Sequence, residues 1–209
     1  LLLHLAGFEA VQAGQLYSCA QSREQASVLF RLASLMVRMS PDLSQYVAIK
    51  DSAKQLVCGA LGTVYRALSA DASTAMGLSP SLVIHDELGQ VKGPRFELYE
   101  ALETACAAQQ NPLSIVISTQ APTDADLLSL LIDDGLKGAD KRIKCVLYAV
   151  PKDADPFDPE VLAAAQPNWH LMNHAEVLKQ ASDAKRMPTS EAGFRNLVAN
   201  QRVEARNPF

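Results

Sequence analysis

No apolar run in the 209 residues approaches the roughly 18 needed for a membrane-spanning helix. Basic charge is not in excess either. Nineteen Lys and Arg against 23 Asp and Glu leave a formal net charge of −4, so the whole molecule is no electrostatic glove for nucleic acid. Any such contact has to come from a local basic patch. There is no C-x-x-C pair: Cys19, Cys58, Cys106 and Cys145 lie far apart among apolar or small residues. That spacing argues against structural zinc and against disulfides, and for buried free thiols in a reducing, intracellular setting. Repeats and low-complexity tracts are lacking as well. Leu1-Leu2-Leu3 has no basic residue before it and no small-residue cleavage site after it, so it does not read as a signal peptide. It lacks an initiator Met and starts mid-pattern, and is expected to be the interior of a helix that begins upstream.

What is present is ordinary for a globular core, with 48% apolar and 20% charged residues. Leu1 to Ala13 has helical spacing and a plausible stop at Gly14. Gln15 to Ala20 reads as a buried strand. Ser22 with Gln25 forms a capping-box pattern, and Ala26, Leu29, Phe30, Ala33 and Val37 place an apolar face on a helix to about Met39, ended by Pro41. Period-two patterns follow at Tyr46–Ile49, Gln55–Cys58 and Thr63–Leu68, then a loop from Asp71 to Pro80. Ser81 to Glu87 and Leu113 to Ser118 contain continuous apolar runs, expected of strands covered on both faces. Helices are expected over Phe96–Ala108 and Asp126–Lys137, and a last strand over Ile143–Val150. Alternating buried strands and helices point to a parallel α/β sheet. Past a Pro- and Asp-rich linker at Pro151–Pro159 only short helical patterns remain, at Pro159–Ala165, His174–Ala184 and Ser190–Ala199. The expected division is therefore a core of residues 1–150 and a small helical subdomain of residues 151–209.

The strongest chemical constellation is LVIHDE, residues 82 to 87. A carboxylate ending a central parallel strand sits in the crevice where α/β folds bind ligands. Asp86 there can hold a water of a magnesium ion that bridges nucleotide phosphates. Glu87, one residue on, is placed to polarise an attacking water as a general base. Adjacent acids at a strand end are costly to desolvate without a compensating cation; the plainer reading is an exposed turn. His85, on the opposite face of the strand from Asp86, reads as a packed or hydrogen-bonded histidine. Ser118-Thr119-Gln120 ends the next buried strand. If that strand neighbours the acidic one, Thr119 or Gln120 lies beside the γ-phosphate; by itself the tripeptide would more simply be a helix N-cap.

The phosphate-binding loop G-x-x-x-x-G-K-[ST] is absent from the 209 residues. Because that loop immediately precedes a helix, the simplest expectation is that Leu1 falls in or just after the helix behind it. Taken in order, QLYSCAQSREQA, YRALSADASTAMGLSPSLVIHDELG and PLSIVISTQAP resemble the ATPase domain of tailed-phage large terminase subunits. DPEVLAAAQPNWH and FRNLVANQRVEARNPF resemble the lid and the linker toward the terminase nuclease domain. The resemblance implies a P-loop NTPase core, an α/β fold with a mostly parallel central sheet flanked by helices, plus a small C-terminal helical lid subdomain. It implies ATP and Mg²⁺ as cofactors, with Asp86 the Walker B aspartate and metal anchor and Glu87 the catalytic glutamate. Ser118, Thr119 and Gln120 would then form the coupling motif, with Ser118 and Gln120 at the nucleotide. The implied function is coupling of ATP hydrolysis to translocation of double-stranded DNA into a capsid. The implied partners are DNA, the portal protein, a small terminase subunit and further copies in a ring, in the host bacterial cytoplasm. The fragment alone is expected to be inactive for want of the Walker A lysine. An arginine finger used by some relatives would fall on Met76, so Arg66 and Arg23 are the substitutes considered. Alternatives are another nucleic-acid ATPase such as a helicase, or a non-catalytic prophage remnant.

Other features rank lower. His170 and His174 are four apart but lack the glutamate of H-E-x-x-H, and Asn173 between them reads as a cap. Lys137, Lys141, Arg142 and Lys144 form the densest basic cluster, read as a solvated helix end with a DNA-backbone contact as the alternative. Trp169 reads as a lid anchor.

Overall fold

The computed structural model of the chain describes residues 1–69 and 77–203, apart from the side chains of Arg23 and Ser69. Met76, most of the expected 71–80 loop and the last residues of the tail lie outside the described residues. The chain divides into two compact units, Leu1–Leu88 with Phe96–Ser118, and Gly89–Arg95 with Thr119–Phe209.

The first unit is built on a six-stranded mixed sheet. Its strands are β1 (Gln15–Ala20), β2 (Val47–Lys50), β3 (Gln55–Cys58), β4 (Thr63–Ser69), β5 (Pro80–Asp86) and β6 (Leu113–Ile117). Their spatial order is β2-β3-β4-β1-β5-β6. The pairs β1–β4, β1–β5 and β5–β6 are parallel, whereas β2–β3 and β3–β4 are antiparallel. Side-chain alternation then sorts each central strand between two cores. Leu16, Leu82 and Ile84 join Phe30, Ala33 and Val37 of helix α2 (Arg23–Met39) on one face. Tyr17, Cys19 and Val83 join Leu98, Leu102 and Cys106 of α4 (Glu97–Cys106) on the other. Each fully buried Leu or Val contributes about 1.5–3 kcal/mol of transfer free energy, which explains why β5 carries the unbroken apolar run Leu82-Val83-Ile84.

The Ser22 cap forms as the sequence suggests, its hydroxyl accepting from the Gln25 amide at 3.2 Å. Pro41 ends α2 but also opens α3 (Pro41–Tyr46), a position where its missing N–H costs nothing. The first helix is shorter than expected. Among the described residues α1 spans Leu2–Ala6 and stops at Gly7, not Gly14, because the backbone turns extended at Gly7. The expectation of a doubly covered strand at Leu113–Ser118 is also corrected. β6 is an edge strand, with Leu113 41% and Ile117 55% exposed. A continuous apolar run signals that both faces are apolar, not that both are covered among these residues.

The second unit is helical. It contains α5 (Leu127–Lys137), α6 (Pro159–Ala165), α7 (His174–Arg186) and α8 (Pro188–Leu197). Gly138 closes α5 in the left-handed conformation, φ 64°, which glycine adopts without steric cost. Val150, Leu162, Ala165, Val177, Ala181, Ala184, Phe194 and Ala199 form its core. The strand expected at Ile143–Val150 does not form among the described residues. Ile143, Val146 and Tyr148 are exposed and joined to no ladder, and an extended segment without a neighbouring edge has no partner for its backbone groups. Val150 instead donates its N–H to Ala199 O at 2.9 Å inside the helical core. By Cα proximity the compact unit around this helical core takes in Gly89–Arg95 and Thr119–Phe209.

Candidate functional site

The parallel strands β1, β4, β5 and β6 end on one edge of the sheet, at Ala20, Ser69, Asp86 and Ile117. That edge is the usual ligand crevice of an α/β sheet. Asp86 pairs in register with Ile117, so Ser118 stands one residue past the partner of Asp86 on the neighbouring strand. Glu87 turns sharply out of β5, donating its N–H to Ile117 O at 2.9 Å with φ 55°. A non-glycine residue in the left-handed region is strained, and such strain concentrates at functional sites. The carboxylates of Asp86 and Glu87 thus sit on a turn tied to β6, not on a freely solvated loop.

Burial raises the Asp86 carboxyl above its ordinary value, and the hydrogen bond from the Glu87 amide offsets part of that rise. A half-buried carboxylate whose charge is disfavoured is one that a divalent cation would stabilise. Among the described residues no group of three or more His, Cys, Asp or Glu is arranged to hold a metal. Asp86 therefore fits magnesium in one way, as the single carboxylate to an ion that takes its remaining oxygens from phosphate and water.

Directly behind Asp86, on the opposite face of β5, lies a polar cluster that the sequence signalled only through His85. His85 is 1% exposed. Its Nδ1 lies 3.0 Å from Cys19 Sγ, and its Nε2 lies 3.0 Å from Glu103 Oε1 on α4. Ser114 of β6 donates to the same Glu103 oxygen at 2.5 Å, and the Tyr99 ring leans on the imidazole at 4.7 Å between centroids. One carboxylate thus links β5, α4 and β6 under the strand ends. Burial alone would raise Glu103, but the hydrogen bonds from His85 and Ser114 and the imidazole charge hold it below its ordinary value. Cys19 is pushed up to about 12, by burial first and then by the nearby Glu103 and Asp86 carboxylates, which makes it an inert buried thiol. Glu103 and Ser114 carried no motif that could have singled them out.

Of the tripeptide, Ser118 ends the first unit beside β5, and Thr119 opens the second. Gln120 is 6% exposed and already engaged within the second unit. Its N–H donates to Asn200 Oδ1 at 2.6 Å, and its side-chain amide donates to Asn200 O. Its carbonyl accepts from Asn196 Nδ2 at 2.9 Å, and its Oε1 accepts from Arg202 Nε at 3.2 Å. A phosphate-reading Gln120 would have to give up these bonds. Arg202, Asn196 and Asn200 were not singled out in the sequence; they stand some 80 residues from Gln120, and no local pattern links them.

Among the lower-ranked residues, His174 Nε2 meets Trp169 O at 2.6 Å and its ring stacks on Trp169 at 4.5 Å. Asn173 caps α7 through the Glu176 amide, and Trp169 packs against the helical core. Arg142 pairs with Asp140 at 2.6 Å at the surface, and Lys137, Lys141 and Lys144 are exposed. Arg66 is an exposed residue of β4; the Arg23 side chain is outside the description. No helix among the described residues is long and apolar enough to cross a membrane.

Three comparisons bear on this geometry. The family described as "Terminase large subunit, ATPase domain" matches residues 3–135. The terminase large subunit of Enterobacteria phage HK97 is 49% identical over 210 residues, which cover 100% of this chain and 42% of that protein. The crystal structure of the HK97 bacteriophage large terminase matches with a TM-score of 0.91 at 48% identity, over 96% of this chain and 42% of that one. The large terminase ATPase domain of Thermus phage P74-26 matches with a TM-score of 0.60 at 16% identity, over 97% of this chain and 80% of that one, and so shares the fold alone. The chain spans less than half the length of the HK97 protein it matches.

Proposed function

The chain belongs to the family of terminase large-subunit ATPase domains, and on that premise we propose that it is the ATP-hydrolysing part of a phage DNA-packaging motor. The observation that supports this best is the joint strand edge. Asp86 and Ser118 stand on adjacent parallel strands, and Glu87 is held in a strained turn by a bond to Ile117 O. Magnesium, when bound with ATP, neutralises phosphate charge and polarises the γ-phosphoryl group. Asp86 would hold the cation through its carboxylate or a bound water, and the cation's charge would offset the burial that raises this carboxyl. Glu87 accepts a proton from the attacking water. Ser118 and Thr119 would offer hydroxyls to the terminal phosphate, and such a hydrogen bond would distinguish the state before cleavage from the state after it. His85, Glu103 and Ser114 hold the two strand ends in register beneath the site.

The phosphate-cradling loop is not encoded in these 209 residues, and we infer that another segment of the same protein supplies it. Among the described residues β6 is the edge strand of the sheet, and an edge strand offers backbone groups to a further strand. Without that segment the residues have no means to hold ATP, and the isolated chain is inactive. The whole protein translocates double-stranded DNA into a capsid as a ring of copies on the portal, helped by a small terminase subunit, in the cytoplasm of the host bacterium. The test is ATP turnover by the protein expressed with its full flanking coding sequence. Hydrolysis that needs Mg²⁺ and is lost in Glu87→Gln, with ATP binding kept, is expected. Undiminished turnover in Glu87→Gln removes Glu87 from the base role, and absence of turnover in the unsubstituted protein refutes the reading altogether.

A further inference from the structure

The second unit holds a polar clasp for which hydrolysis itself has no need. Arg202 uses all five of its N–H donors. Nε bonds Gln120 Oε1 at 3.2 Å, Nη1 bonds Asp124 Oδ1 and Asp133 Oδ2 at 3.0 Å each, and Nη2 bonds Asp133 Oδ1 at 2.6 Å and Ser129 O at 3.1 Å. The guanidinium fork thereby joins Gln120 to the first turns of α5, with geometry that a lysine point charge cannot reproduce. The backbone is stitched to the same place. Val203 donates its N–H to Pro122 O at 2.7 Å, and Asn196 Nδ2 bridges Gln120 O at 2.9 Å and Gln201 O at 3.1 Å. Asn200, in the left-handed conformation with φ 54°, accepts from the Gln120 amide and donates to Tyr148 O at 2.8 Å. Gln201 closes the ring on Val150 O and Pro151 O at 3.3 and 3.0 Å.

Three separate stretches of chain are thus locked together: residues 120–133, residues 148–151 and residues 196–203. Gln120 is covalently next to Ser118-Thr119, the residues proposed above to meet the terminal phosphate. Residues 196–203 carry the chain out of α8. Gln120, Asn196 and Gln201 are buried at the centre of the clasp, while Asp124 and Asp133 close it from the exposed side; hydrogen bonds linked in this way reinforce one another.

We propose that Arg202, through Gln120, is a positioning residue that carries a displacement of the Ser118-Thr119 strand end into the 196–203 segment, coupling ATP cleavage to movement of what lies beyond it. This rests on the proposed motor function. Gln120 then serves as the rigid joint next to the phosphate-reading residues and not as a phosphate ligand. Breaking the clasp leaves the chemistry at Asp86 and Glu87 intact and lets the strand-end movement dissipate.

The test uses the full-length protein in a defined packaging reaction with procapsids, scoring DNA length packaged per ATP hydrolysed. Arg202→Met and Arg202→Lys are expected to hydrolyse ATP within about threefold of the unsubstituted protein, while DNA packaged per ATP falls about tenfold in Arg202→Met and less in Arg202→Lys. Partial unfolding cannot mimic this, because an inactive fraction lowers both rates and leaves their ratio unchanged. Gln120→Glu, which keeps an acceptor for Arg202 but loses the amide donated to Asn200, should show the same fall in ratio with a folded protein. Hydrogen exchange supplies a second readout: a non-hydrolysable ATP analogue should change protection across residues 196–203 in the unsubstituted protein and not in Arg202→Met. An unchanged ratio in all three variants overturns the inference. A protein that neither hydrolyses nor packages before any substitution instead overturns the motor function beneath it.

Discussion

Replacing Glu87 by glycine and, separately, by alanine separates two contributions of that residue. Its backbone stands at φ 55°, fastened by the 2.9 Å bond from its N–H to Ile117 O. Both substitutions remove the carboxylate, but alanine keeps the left-handed strain while glycine relieves it. Holding an L-residue in that region costs about 1–2 kcal/mol. Glycine returns about 0.5–1 kcal/mol of this through the greater entropy of its unfolded chain. The net expectation is that Glu87→Gly is about 0.5–1 kcal/mol more stable than Glu87→Ala, combining those two terms. In a domain of this size that is a difference of about 1–4 °C in Tm. Differential scanning calorimetry of the full-length variants side by side gives the stability, and phosphate release gives turnover. Both variants should lose hydrolysis by orders of magnitude. A Glu87→Ala protein as stable as Glu87→Gly would show that the turn is unstrained in solution, and turnover surviving in either variant would show that the strained geometry serves something other than a catalytic base.

Thr119→Ala should separate hydrolysis from translocation in the packaging assay, and equal loss of both would count against its sensing role. Asp86→Asn should raise stability at neutral pH in the absence of nucleotide, because burial holds the Asp86 carboxyl above its ordinary value and its charged form therefore opposes folding; the gain should vanish below the carboxylate range, and a variant no more stable at neutral pH would contradict it. Glu103 is held below its ordinary value, so its contribution to stability is present above the unfolded-state pKa and disappears as pH falls through the folded one. Denaturation scans from neutral to acid pH should accordingly show a shallower acid limb in Glu103→Gln than in the unsubstituted protein. Ser34 is buried in α2, and its hydroxyl has no hydrogen-bond partner among the described residues, so Ser34→Ala should be neutral or stabilising by up to about 1 kcal/mol, and a loss of stability would reveal a partner for that hydroxyl.

Much of the first unit was legible because its signals are local. The cap at Ser22, the apolar spacing of Ala26, Phe30, Ala33 and Val37, and the boundaries of β1 and β3 each follow from a few consecutive residues. The position of the acidic pair was legible for the same reason: carboxylates after Leu82-Val83-Ile84 mark where a buried strand ends. Ser118 beside Asp86 needed one further assumption, that two apolar runs separated by a helix pair in parallel, and the β5–β6 register bears it out. The edge position of β6 was not legible, since an apolar strand looks alike whether or not another segment lies against it. Nor was the fate of Ile143–Val150, whose composition suits a strand but which meets no sheet edge among the described residues.

By itself, then, the sequence determined most element types and the alternation of strands and helices in an α/β core, because propensity, capping and side-chain alternation act over a few residues. Only the tertiary structure decided that Glu87 sits in a left-handed turn, that Glu103 and Ser114 brace His85, and that Gln120 is gripped by Asn196, Asn200 and Arg202. Those are pairings across tens of residues, set by how helices and strands pack. No periodicity in the chain encodes which distant donor will find which acceptor.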